Sequence, residues 1–265
     1  MKHVVHYSGG LCSFWAAKRV KDRHGVADMT LLFADTCAES DGLYKFLVAT
    51  SAYLGVPITR ISREITPWEL FRKEGMIGNS RSPLCSVKLK RELLDKWRAV
   101  NCEPAQTIVY IGFDPLEFDR WDALSAEIAP WEVQAPMCDR TWGPLWNKCE
   151  MAENLKLLDI GLSVRYEQGF SHDNCNAECV RAGITHWVNL YRVDRPAFNH
   201  SENEEAKTIA EFLRRGIDTT WATILKDRRG GITKAMTLST LRGRIESGEK
   251  MPLHEWGGCG CGTTM

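Results

Sequence analysis

The chain has 265 residues, 44% of them hydrophobic and 26% charged, and its 34 Lys and Arg balance 34 Asp and Glu. That length supports one main core with a smaller appended unit and excludes two large domains, while zero net charge excludes a global electrostatic hold on nucleic acid or an anionic membrane. No stretch has the length of a membrane span and the N-terminus lacks a signal-peptide layout, so a cytoplasmic protein without a membrane partner is expected, its 10 cysteines serving as metal ligands, redox groups or small core residues rather than as disulfides.

In chain order, residues 2–7 (KHVVHY) form a short β-branched strand, 11–23 have helical spacing, 29–34 (MTLLFA) are an apolar strand, and 41–54 are again helical. A weaker strand follows at 57–62, then helices at 67–74 and 87–100, a strong strand at 107–113 (TIVYIGF), a helix at 118–129 and a last strand at 131–137. Strands that are apolar throughout and alternate with helices indicate an α/β fold with a parallel, doubly wound sheet covered on both faces, whose ligands lie at the carboxyl ends of the strands. The pattern changes near residue 143. Helices are expected at 147–158, 184–191 and 201–215, with a segment rich in Cys, Asn and Asp at 169–183 and basic turns at 226–231 (KDRRGG). The expected organisation is a nucleotide-binding domain at 1–143 and a helical, cysteine-bearing extension at 144–265.

Between the first strand and the first helix stands SGGLCS, residues 8–13. Gly9 and Gly10 let the backbone turn tightly and aim amide groups at an anion, with the helix N-terminus behind them and the hydroxyls of Ser8 and Ser13 as further donors. The loop lacks the GK[ST] ending of a Walker A element. The plainer alternative is an ordinary strand-to-helix turn.

With three other landmarks in the same order, this loop resembles the pyrophosphate-binding SGGxDS loop of the PP-loop ATP pyrophosphatases, in the adenine nucleotide alpha-hydrolase superfamily. The remainder is similar to the phosphoadenosine phosphosulfate (PAPS) reductase-like branch. The landmarks are Asp35 and Thr36 followed by Glu39 and Ser40; Cys85 and Lys88 in RSPLCSVK; and Gly112, Asp114 and Arg120 in GFDPLEFDR, where the branch has GxRxxES..R. The resemblance covers roughly the first half of the chain. It implies a HUP-type sheet, nucleotide binding by Ser8, Gly9, Gly10, Ser13, Asp35, Thr36, Gly112 and Asp114, and catalysis by Ser13, Lys88, Arg120 and Cys85, with ATP or PAPS as the nucleotide and Mg2+ as its counter-ion. One position of the loop departs from the pattern: Cys12 replaces the loop aspartate. The cysteine, glycine and histidine segment that sulfonucleotide reductases carry near the C-terminus is missing.

Cysteines supply the second signal. Cys175 and Cys179 are four residues apart, which on a helix or its first turn turns both sulfurs to one side, and Cys259 and Cys261 form a tight pair in the glycine-rich tail. Together they make one four-cysteine site for a 4Fe-4S cluster or, alternatively, Zn2+. His172 and His186 flank the first pair; each reads first as an ordinary core or surface histidine, with replacement of a cysteine ligand by His172 as the alternative. A 4Fe-4S cluster is favoured because relatives of the resembled family include cluster-bearing sulfur-transfer enzymes.

The expected function is an ATP α,β-cleaving, adenylating enzyme that transfers sulfur to, or otherwise modifies, a nucleic acid (tRNA or DNA) or a nucleotide. The basic residues Lys226, Arg228, Arg229, Arg242 and Arg244 are placed to grip phosphates. A sulfonucleotide reductase and a non-catalytic nucleotide sensor are the alternatives, and self-association into a homo-oligomer stays open.

Overall fold

A computed structural model describes residues 1–79 and 82–251. In chain order its elements are β1 Lys2–His6, α1 Leu11–His24, β2 Met29–Asp35, α2 Asp41–Leu54, β3 Ile58–Ser62, α3 Pro67–Glu74, α4 Leu84–Ser86, a π-helical turn Val87–Arg91, α5 Glu92–Asn101, β4 Thr107–Ile111, α6 Phe118–Glu127, β5 Glu132–Gln134, α7 Lys148–Lys156, α8 Val164–Glu167, α9 Ile184–Val193, α10 Arg195–Arg214, β6 Leu225–Asp227, β7 Lys234–Met236 and α11 Leu238–Glu246. They fall into two interleaved compact units. Among the described residues, the sheet unit comprises Met1–Asp35, Glu39–Arg63 and Leu89–Val164, and the helical unit Thr36–Ala38, those of Glu64–Lys88, and 165–251.

The sheet unit holds an all-parallel five-stranded sheet in the order β3-β2-β1-β4-β5. Adjacent residues of a strand face opposite sides, and both Val4 and Val5 in β1, like Leu31 and Leu32 in β2, are buried. Both faces are therefore covered, as the uninterrupted apolar runs require. α1 packs against α2, and the right-handed rule for crossovers between parallel strands calls for these two on one face and α5 and α6 on the other. Because the chain leaves β1 toward β2 and later returns to pair β4 on its other side, the order of strand addition reverses between β1 and β4, the point at which open α/β sheets leave a crevice.

In the helical unit, α9, α10 and α11 pack together and α3 packs on α10. Trp187, Phe198, Phe71 and Phe212 form its buried centre. Arg72 on α3 pairs with Glu204 on α10 at 2.7 Å. The adjacent Glu205 is buried and accepts the backbone amides of Ile224 at 2.8 Å and Leu238 at 2.7 Å. One carboxylate thus ties the antiparallel β6–β7 hairpin and the start of α11 to α10.

Several elements differ from the sequence expectation. The basic turn at 226–231 begins with a strand of this hairpin, and α11 follows it. α10 begins at Arg195 rather than 201, because Asp194 caps it by accepting the Ala197 amide and a proline occupies its first turn. Among the described residues no helix is long and apolar enough to cross a membrane.

Candidate functional site

Within the sheet unit the loop after β1 lies at the reversal point. Gly9 has φ +76° and would press a Cβ onto the Leu43 side chain at 3.0 Å, so the turn needs glycine for both conformation and space. Gly10 is the N-cap of α1, whose first turn contains no acidic residue. The first amides of a helix have no partner within it, and their dipoles favour an anion. Ser13 is buried; its hydroxyl donates to the Gly10 carbonyl at 2.8 Å and lies 3.2 Å from the Ser8 hydroxyl. Ser13 braces the loop from inside, with the exposed Ser8 at its outer edge.

At the end of β4 the backbone runs against this loop. A Cβ on Gly112 would stand 2.4 Å from both the nitrogen and Cα of Ser13 and 2.6 Å from the Cys12 carbonyl carbon, so only glycine fits. Asp114 is buried and accepts the Leu116 amide at 2.9 Å, while Glu117 accepts the Asp114 amide at 2.9 Å. Arg120 pairs with Glu117 and lies with its guanidinium carbon 4.9 Å from the centroid of the Phe113 ring. The Cys138 thiol contacts the Asp114 carbonyl at 3.2 Å, and burial pushes it up to about 11. Asp35, at the end of β2, is 2% exposed and accepts from Tyr44 at 2.9 Å and from Arg60 at 2.7 Å.

Cys12 stands in the first turn of α1, where a helix terminus would favour a thiolate. Burial wins instead, pushing the thiol up to about 12 against the opposing charge of Lys148. Its sulfur rests 3.8 Å from that of Met151 on α7. At neutral pH Cys12 is a protonated packing group.

Beneath the loop, β1 ends in His6, whose Nε2 accepts from Arg98 at 3.2 Å. Because guanidinium only donates, the ring is neutral. Burial and the Arg98 charge hold His6 down to about 3.

In the helical unit, Thr36 and Cys85 are buried and Lys88 is half-buried in the π-helical turn, a form that recurs at functional sites. The spacing of Cys175 and Cys179 suggests a helical turn, but Cys175, Asn176 and Ala177 are left-handed, with φ of 52°, 53° and 61°. The thiols are therefore not presented from one face of an α-helix. Left-handed backbone costs a non-glycine residue roughly 1–2 kcal/mol, and three in succession persist only where their surroundings hold them. Here Glu178 donates its amide to the Cys175 carbonyl at 2.7 Å, His186 donates Nε2–H to the Ala177 carbonyl at 2.6 Å, and the Asn176 side chain accepts from Arg165 at 2.6 Å. Burial holds the His186 ring below its ordinary range, neutral and able to make that bond.

Among the described residues no group of three or more His, Cys, Asp or Glu is placed to hold a metal. Cys259 and Cys261 lie outside the described residues. Arg229 and Arg244 of the basic cluster pair with Asp227 and Glu249, and Arg242 pairs with Glu202 and Glu246. Much of that cluster's charge is neutralised internally.

Arg60, Tyr44, His6, Arg98 and Arg165 were not singled out by sequence reasoning. Each acts through a partner 9 or more residues away, a distance at which local periodicity is silent. No protein-family model and no curated protein matches the chain.

Proposed function

We propose that this chain is an adenylating enzyme similar to the PAPS reductase-like branch of the PP-loop ATP pyrophosphatases. The observation that carries the reading is the fit of the loop from Ser8 to Ser13 against Gly112 at the reversal point of a parallel sheet. The first amides of α1 hold the β- and γ-phosphates of ATP. An oxygen of the acceptor attacks the α-phosphorus: the new P–O bond forms, the bond to the β-phosphate's bridging oxygen breaks, pyrophosphate leaves, and the acceptor's proton passes to solvent. A sulfur nucleophile then forms a bond to the activated carbon and AMP departs. In this reading Asp35, held by Arg60 and Tyr44, accepts from the ribose, while Arg120 offsets phosphate charge. Thr36, Cys85 and Lys88 belong to the helical unit and keep only the roles that the resemblance implies.

Asp35, at the end of β2, and Asp114, in the turn after β4, are buried carboxylates and, as hard oxygen donors, suit Mg2+; the Cys12 thiol in place of the loop aspartate does not. The ion supplies Lewis-acid stabilisation of the leaving pyrophosphate. Cys175 and Cys179 are soft donors fitted to a 4Fe-4S cluster or Zn2+, completed by Cys259 and Cys261. The acceptor is a tRNA or DNA base or a nucleotide.

The test is anaerobic incubation of the full chain with labelled ATP and candidate acceptors. AMP and pyrophosphate are expected, and both fall to background in the double variant Ser8→Ala/Ser13→Ala. Sulfite from PAPS would replace this reading with a reductase. ATP binding without cleavage would favour a sensor, a reading that the protonated Cys12 in place of the loop aspartate supports.

A further inference from the structure

The β6–β7 hairpin of the helical unit has one anchored face and one wet face. Leu225 and Met236, paired across the ladder, are buried, whereas their neighbours Lys226 and Ala235, also paired, turn the other way, and Ala235 is exposed. Just ahead of β6, Ala222, Thr223 and Ile224 are buried, and the Ile224 amide is held by Glu205. Trp221 therefore stands on fixed backbone, yet it is 49% exposed, with the Lys226 ammonium 5.2 Å from its ring centroid.

Ion pairs sort the basic residues of this region. Arg229 and Arg244 are taken up by Asp227 and Glu249, and Arg242 by Glu202 and Glu246. Lys226 and the exposed Arg228 and Lys234 have no carboxylate partner among the described residues. Asp218, on the stretch leading to Trp221, is turned onto Thr220, accepting its amide at 2.9 Å and its hydroxyl at 2.6 Å. The hairpin thus presents surplus positive charge beside an open indole.

We propose that this face binds an unpaired strand of nucleic acid, with one base stacked on Trp221 and the adjoining phosphates held by Lys226 and Arg228. This rests on the reading above in taking a nucleic acid as the acceptor, and narrows it to one whose bases are unstacked. A duplex offers phosphates to the cations but no free base face to the indole. An acidic peptide would engage the cations and leave the ring unused. A base displaces Lys226 from the ring because stacking on an indole outweighs an exposed cation–π contact, and the released ammonium then meets a phosphate.

The test is fluorescence anisotropy of labelled oligo(U), oligo(dT) and duplex DNA of equal length, titrated with the reduced full chain over a series of salt concentrations. A single strand is expected to bind more tightly than the duplex, and the order of oligo(U) and oligo(dT) shows whether RNA or DNA is preferred. Trp221→Ala weakens strand binding at least about fivefold, while Trp221→Phe, which keeps a ring, retains most of the affinity. Lys226→Gln and Arg228→Gln each lower the slope of log affinity against log salt by about 0.7, a response that a merely structural role would not give. Arg242→Gln, whose guanidinium is already paired, leaves the slope as in the parent. Duplex bound as tightly as either strand, parent-like affinity in Trp221→Ala, or an unchanged slope in both cation variants overturns the inference. If ATP yields AMP and pyrophosphate but neither strand binds, the inference falls and the adenylating reading stands. Strand binding that depends on Trp221, with no ATP cleavage, supports the inference and removes the adenylating reading.

Discussion

In the sheet unit, the groups that form the candidate site stand at or just past strand ends and are placed largely by backbone: Gly9 by its φ, Gly112 by its contact with Ser13, Asp35 by its pairing with Ser62 on β3, and Asp114 by the turn it caps after β4. In the helical unit the corresponding work is done by buried polar side chains. Arg165 holds a strained turn, Glu205 ties a hairpin to a helix, and Glu178 links Asn176 to α10. A site placed by backbone tolerates changes at most side chains and fails at a few glycines. One placed by polar side chains fails wherever a partner is removed, since a buried group left alone bears its desolvation cost.

The largest effect expected from this contrast is at Gly112. Gly112→Ala forces a Cβ into the Ser13 backbone, where no rotamer offers relief, and should destabilise the sheet unit by about 3 kcal/mol and abolish ATP binding. Urea unfolding and calorimetric titration with ATP measure both, and a variant with parent-like stability would show that the two strand ends can part without cost.

Titration should distinguish the units by sign. Burial pushes Glu205 from an ordinary 4.5 up to about 7, so its contribution is full below the lower value and lost as pH rises through the upper one. The helical unit therefore weakens by up to about 3 kcal/mol between those values. His6 runs the other way. Held near 3 against an ordinary 6.5, it supports the sheet unit above 6.5 and loses that support as pH falls toward 3. Hydrogen exchange resolved by peptide should show β1 and β4 losing protection in acid while the hairpin gains it; His6→Gln, which keeps an acceptor for Arg98, should flatten the acid limb alone. The same sign in both units would break the contrast.

Helix caps should give the smallest effects. Ser40 accepts the Leu43 amide at the start of α2, and Thr66 with Glu69 forms a capping box on α3. Ser40→Ala and Thr66→Ala are each expected to cost about 1 kcal/mol, each confined in hydrogen exchange to its own unit.

The sheet was legible because its strands are apolar runs cut off by glycine and polar turns, which local pattern reports faithfully. The loop at Ser8 was legible for the same reason. The strand order was not, since order is set by crossovers rather than by composition. In the helical unit the signals were weaker. α11 buries only Leu238 and Leu241, β6 and β7 have three residues each, and the start of α10 was marked by Asp194 and Pro196, which periodicity ignores. The cysteine turn misled because a spacing of four fits a helix; the one local signal in NCNAEC is Asn176, a residue type that enters the left-handed region more readily than others.

The interleaving of the units bears on how the chain is made. Helix α3, with Trp68, Leu70 and Phe71 on its buried face, meets α10 through Arg72 and Glu204, 132 residues later. At the pace of translation that gap lasts on the order of ten seconds. During it the first β-strands and α4, which also packs on α3, are already made while α10 is not. The nascent helical unit is therefore the part of the chain with most need of a chaperone's cover during synthesis.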